Sequence, residues 1–74
     1  MSHESDLREL LSEMSGKDVS VLDPSADLVR ELGLDSLAGL RMLARVEKRF
    51  GARFPDERLS DFRTVRQLLE AIEK

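Results

Sequence analysis

Asp35-Ser36-Leu37-Ala38-Gly39-Leu40-Arg41-Met42-Leu43-Ala44-Arg45-Val46-Glu47-Lys48-Arg49-Phe50-Gly51 is the stretch from which the fold is most directly read. No proline interrupts it, and the only glycine inside is Gly39. Asp35 has a side chain suited to capping the first turn of a helix, and Gly51 supplies a stop at the other end. Wound at 3.6 residues per turn, residues 36–50 gather Met42, Leu43, Val46 and Phe50 on one side, which we assign to the core. Leu37, Leu40 and Ala44 form a second apolar edge, bordered by Arg41, Arg45 and Lys48.

Working outward toward the N-terminus, Leu7, Leu10, Leu11 and Met14 recur at i, i+3, i+4 and i+7. That spacing predicts a helix over residues 4–15, with Ser2 or Ser5 as its cap and Gly16 as its stop. Glu4 and Asp6 suit the positive end of its dipole. Residues 16–35 hold Gly16, Asp18, Ser20, Asp23, Pro24, Ser25 and Gly33, too many breakers for a long regular element. Val19, Val21, Leu22, Leu28 and Leu32 punctuate the same stretch. We read it as an ordered loop pinned to the core by those side chains, with a turn of helix near 27–31.

Toward the C-terminus, Pro55 precedes a short helical turn expected over 56–61 that carries Leu59 inward. Thr64 caps a last helix over 65–73 with Val65, Leu68, Leu69 and Ile72 on its inner face. No strand-like alternation of any length is found. The fold class is therefore all-α: a small four-helix bundle of three main helices and one short one, with a long ordered loop between helices 1 and 2.

At 74 residues the chain is read as a single domain, 1–74. It contains no cysteine, so neither a disulfide nor a thiolate nucleophile is available. That composition, with no signal peptide evident, fits a reducing cytoplasm. No apolar run approaches the roughly 20 residues needed to span a bilayer, so no membrane insertion is expected. The net charge of −3 hides an asymmetry. Residues 1–35 carry nine acids against three bases, whereas residues 36–74 carry six acids against nine bases. A mildly acidic chain is a poor general binder of nucleic acid.

An enzyme site is hard to assemble from these residues. The single histidine, His3, would have to be held beside Ser36 to activate it. Nothing marks a catalytic carboxylate pair or a metal-ligand cluster, and no glycine-rich loop follows a strand. Leu32-Gly33-Leu34-Asp35-Ser36-Leu37 is the segment that carries chemistry. It sets a serine hydroxyl in the first turn of a helix, where backbone N–H groups and the helix dipole favour an anion. On the dipeptide alone, Asp-Ser reads as a capping pair.

The surroundings make the segment specific. Leu32-Gly-Leu-Asp-Ser-Leu37 resembles the attachment motif of the acyl carrier protein family. The resemblance runs along nearly the whole chain. It takes in the first amphipathic helix, the loop with Asp23-Pro24 and Asp27-Leu28, and the motif helix through Phe50-Gly51. Phe54-Pro55-Asp56 and the Thr64-Val65 helix start continue it. The resemblance implies a carrier and not an enzyme, with 4′-phosphopantetheine attached covalently to Ser36. It implies that Asp35 helps bind magnesium or orient the serine during modification, and that Leu37 contacts partners. The implied partners are a phosphopantetheinyl transferase, an acyl- or aminoacyl-loading ligase, and a downstream acyltransferase or synthase acting on a monomeric carrier. The terminal thiol of the arm would hold cargo as a thioester, raising its effective concentration at each active site.

One feature departs from the resemblance. Members of the fatty-acid type often carry acids along the helix that starts at the attachment serine. Here Arg41, Arg45, Lys48 and Arg49 face a single acid, Glu47. Arg41, Arg45 and Lys48, with Leu37, Leu40 and Ala44, form the expected partner-binding face, which points to acidic or neutral partners and a specialised pathway. The other reading is an ordinary solvated face. Gly39 lies one turn after Ser36 at a cost of about 1 kcal/mol relative to alanine, either to admit a close approach or by drift. Three competing functions remain open at this point: a helical interaction module without a cofactor, a small nucleic-acid binder using the basic helix, and a hydrolase using Ser36.

Overall fold

The computed structural model describes residues 3–55 and 61–73. Among these residues the regular structure is helical: α1 (His3–Ser15), α2 (Leu28–Glu31), α3 (Ser36–Phe50) and α4 (Val65–Ile72), with a 3₁₀ turn at Val19–Val21. No strand occurs among them. The expected helical turn over 56–61, with Leu59 turned inward, lies outside the described residues except for Asp61.

The helices form where their apolar periodicity meets a core. Leu7 and Leu11 of α1 are buried, with Leu10 and Met14 packed half-exposed beside them. Met42, Leu43 and Val46 of α3 and Val65 and Leu68 of α4 close against the same cluster, completed by Val19, Leu28, Leu32 and Phe54. Phe54 is only 4 % exposed and stacks on Phe62 with ring centroids 4.7 Å apart, tilted by 57°. Phe50, Leu69 and Ile72 sit at the margin of this core.

Two expectations for the ends of the first half are corrected. Ser5 does not cap α1, because the helix already begins at His3 and Ser5 lies within its first turn. Val21 does not pin the loop: it is 79 % exposed, since the 3₁₀ turn that buries Val19 points the residue two positions on toward solvent. Polar bonds from α1 hold this turn in place. The Arg8 guanidinium donates to the carbonyls of Val19 at 2.8 Å and Leu22 at 2.7 Å, and its Nε donates to Glu4 at 3.0 Å. The Ser12 hydroxyl accepts the Val19 amide at 2.9 Å. Asp18 caps the 3₁₀ turn by accepting from Ser20, whose hydrogen bonds hold its carboxyl below the usual carboxylate range.

Farther along, Asp23 accepts the Ser25 amide through its side chain at 2.7 Å and the Ala26 amide through its carbonyl at 2.9 Å. The loop then ties to the start of α4. Pro24 O accepts the Arg66 amide at 3.0 Å, and Arg63 O accepts the Leu28 amide at 2.7 Å. The long connection is thus ordered, because its backbone groups find partners on helices at both sides of it. Helix α4 starts at a capping box: Thr64 accepts from the Gln67 amide at 3.1 Å, and the Gln67 side chain accepts from the Thr64 amide at 3.2 Å.

Candidate functional site

The segment Leu32–Ser36 reverses the chain between α2 and α3 within a few residues. Leu32 is buried and closes α2 by donating to Leu28 O at 2.9 Å. Gly33 follows at φ 64°, in the left-handed region. The reversal lets the Leu34 amide reach Val29 O at 2.9 Å, the six-to-one bond of a Schellman cap, and turns Leu34 back onto the core. Asp35 is extended, and its Oδ1 accepts the Ala38 amide at 2.7 Å, while its carbonyl accepts the first helical bond from Gly39 at 2.9 Å. Ser36 is therefore the first residue of α3, and it is exposed. Each residue of the motif has a local task, and their combined result is one hydroxyl standing at the positive end of a 15-residue helix.

Beside Ser36 lies an open groove of about 560 Å³. Its walls come from Leu34, Leu40, Met42 and Leu43 on the α3 side, Val29 on α2, and Phe62 and Arg63 ahead of α4. Gly39 contributes to the wall, and a Cβ there would meet no atom within 4 Å. The missing side chain leaves open space one turn beyond Ser36. Leu37 and Leu40 stand on the outer rim, 58 % and 48 % exposed. Ala44, Arg41, Arg45 and Lys48 are exposed as well. Asp35, Ser36, Gly39 and Leu40 thus share one site, while Arg41, Ala44, Arg45 and Lys48 continue along the same helix away from it.

Val29, Phe62 and Arg63 belong to the site and were not singled out from sequence. Arg63 binds Asp27 through two bonds, Nε to Oδ1 at 3.2 Å and Nη2 to Oδ2 at 2.6 Å. The bonds from the Arg63 guanidinium hold the Asp27 carboxyl below its ordinary range. Asp27 also caps α2 by accepting the Val29 amide at 3.0 Å. One carboxylate thereby fixes Val29 and Arg63, two walls of the groove that come from distant parts of the chain. No periodic signal could have flagged Phe62 or Arg63, which lie in a short irregular stretch. The pairing of Asp27 with Arg63 spans 36 positions.

His3 does not meet Ser36. Its ring packs edge-on against Phe50 with centroids 6.2 Å apart, and Nδ1 lies 3.6 Å from the Glu73 carboxylate. Phe50 ends α3, about 20 Å along the helix axis from Ser36. The Ser–His nucleophile pair that a hydrolase would need is not formed. Among the described residues no helix is long and apolar enough to cross a membrane.

Comparison with known proteins bears on this geometry. Residues 5–72 match the family model described as a phosphopantetheine attachment site. The chain is 29 % identical over 68 residues to an acyl carrier protein of Thermobifida fusca, covering 92 % of this chain and 86 % of that one. It is 32 % identical over 68 residues to a meromycolate extension acyl carrier protein of Mycolicibacterium aurum, covering 92 % and 70 % of the two chains. An acyl carrier protein of Micrococcus luteus is 27 % identical over 67 residues, covering 90 % of this chain and 83 % of its own length. With the family model running from within α1 to the last residue of α4 and taking in the exposed Ser36, the chain belongs to the phosphopantetheine-attachment family, whose covalent group is 4′-phosphopantetheine.

Proposed function

We propose that this chain carries acyl or aminoacyl groups as thioesters on a 4′-phosphopantetheine arm attached to Ser36, and delivers them to partner enzymes of a specialised fatty-acid, polyketide or related pathway. The observation that carries the reading is the exposed Ser36 hydroxyl, set at the head of α3 and beside an apolar groove. The residues fit the group. The helix terminus favours the phosphodiester anion, Gly39 leaves space beside it, and among the described residues the Asp35 cap is the only carboxylate lining the groove. The name of the Mycolicibacterium aurum relative, meromycolate extension acyl carrier protein, supports an acyl cargo over an aminoacyl one.

In the modification a phosphopantetheinyl transferase uses coenzyme A and Mg²⁺. A bond forms between Ser36 Oγ and phosphorus, the P–O bond of the pyrophosphate breaks, and adenosine 3′,5′-bisphosphate leaves. The serine proton passes to the transferase. Asp35 acts through position, since its bond to the Ala38 amide holds the first turn in which Ser36 is presented. When bound, the arm supplies the thiol that this cysteine-free chain lacks. Leu37, Leu40 and Ala44 offer an apolar edge for loading and receiving enzymes, in a carrier unit formed by residues 1–74.

Intact mass spectrometry after incubation with coenzyme A, Mg²⁺ and a broad-specificity transferase tests the proposal. A gain of one phosphopantetheine is expected, absent in Ser36→Ala. A folded wild-type chain that gains nothing with several transferases would make it an unmodified interaction module instead.

A further inference from the structure

We propose that the outward face of α3 docks acidic partner surfaces, with Arg41, Arg45 and Lys48 set against carboxylates of the partner. The proposal rests on the carrier reading for the claim that partners dock at this helix, and on the geometry for the sign of their charge.

Arg41, Arg45 and Lys48 follow i, i+4, i+7 and rise about 10 Å along one side of α3. With Met14 of α1 and Ala44 they line an open groove of about 450 Å³. Among the described residues these three cations form no ion pair, whereas Arg8 is bound to Glu4 and Arg63 to Asp27. Glu47, the only acid on α3, forms no ion pair with any of the three. Its Oε2 accepts the Phe54 amide at 2.8 Å and so is engaged where the chain leaves the helix. Like charges at i, i+4 repel along a helix, so α3 carries a strain that a partner's carboxylates would relieve.

The neighbouring surface selects a protein over a nucleic acid as occupant. Residues 1–35 hold nine acids against three bases, and α1, of which Met14 alone lines the groove, carries Glu4, Asp6, Glu9 and Glu13 along its length. An extended phosphate ladder would run on past the three cations into that acidic surface, whereas a compact acidic patch need cover only their short rise along α3. Leu37 and Leu40 extend the face with exposed apolar surface toward Ser36, which suits a protein contact with an apolar centre and a charged rim.

The test is an amide-resonance titration of the isotopically labelled protein with two helical peptides of about 15 residues. One carries glutamates at i, i+4, i+7 around leucines, and the other has lysines in their place. The acidic peptide is expected to shift the resonances of residues 37–48 and Met14, to bind about tenfold more tightly than the basic one, and to weaken with added salt. Arg41→Glu, Arg45→Glu and Lys48→Glu together are expected to invert that preference. Arg45→Glu alone should narrow it, should the triple variant fold poorly. Equal binding of both peptides, binding of neither, or displacement of the acidic peptide by a short DNA duplex would overturn the proposal. The wild-type mass gain with coenzyme A is read separately, so a failed carrier reading and a failed docking reading are told apart.

Discussion

The two ends of α3 begin from similar local chemistry and finish with opposite surfaces. Gly33 at φ 64° precedes the helix and Gly51 at φ 68° follows it, so each end is shaped by a glycine in the left-handed region. At the C-terminal end the chain folds back on itself. Phe50 packs at the core margin beside His3, and Glu47 holds the Phe54 amide so that Phe54 is buried. At the N-terminal end the turn is just as well bonded, but its side chains are left outside: Ser36, Leu37 and Leu40 are exposed beside the groove. Backbone order and surface openness are therefore independent properties. The N-terminal end has a well-bonded frame and an unfilled surface, as the proposed presentation of the Ser36 hydroxyl to a separate enzyme would require.

If that division is right, apolar residues of α3 should differ in their effect on stability according to the face they occupy. Leu43 is 6 % exposed within the core cluster, and Leu43→Ala should cost about 2–5 kcal/mol. For a domain of this size that approaches the whole stability. Leu37 is 58 % exposed, and Leu37→Ala should change stability by no more than about 0.5 kcal/mol. Urea unfolding of the two variants measures both values, and similar losses would break the comparison.

The glycines on either side of Ser36 sharpen it at a smaller scale. Gly33→Ala places a Cβ in the left-handed region and should cost about 1–2 kcal/mol, even though the added atom would meet nothing within 4 Å. Gly39→Ala lies in open space at a helical backbone position and should stabilise by up to about 1 kcal/mol while narrowing the groove beside Ser36. Opposite signs in thermal melts would separate a glycine demanded by backbone geometry from one that leaves room. If Gly39→Ala destabilised, the openness of that wall would have another cause.

These two glycines also show what the chain discloses before its structure is seen. Helix α3 was legible as a whole, because a cap, a stop and fifteen residues of apolar periodicity agree on it. Helix α1 was legible for the same reason, with Ser5 inside it rather than at its cap and Ser2 outside the described residues. The turn near 27–31 was readable from Asp27 and Leu28, although four residues are too few for periodicity to define their boundaries. The exposure of Val21 was not legible, since a 3₁₀ turn has a different side-chain period from the helices around it. For the candidate site, Asp35 stood out as a cap through its local role, and Ser36 through the family resemblance of the segment around it. The far wall of the groove did not. Phe62 and Arg63 reach it only through the fold, and Arg63 is set there by Asp27 from 36 positions away.

That long-range pair yields the smallest effect and the one most dependent on conditions. The Asp27 carboxyl is held below its ordinary range, chiefly by its bonds from Arg63, so the pair stabilises the folded state when Asp27 is ionised. The contribution is present above the unfolded-state value of about 3.9 and is lost as pH falls through the lower folded-state value. Both groups are substantially exposed, which keeps the effect modest and sensitive to salt. Arg63→Ala should therefore lower the melting temperature slightly at pH 7, and its difference from wild type should shrink as the solution is made strongly acidic. A difference that stayed constant through acid would mean that Arg63 acts by packing its stem against the groove rather than by pairing with Asp27. In that case the open end of α3 would be framed by apolar contact, like the closed end, and the contrast between them would rest on Ser36, Leu37 and Leu40 alone.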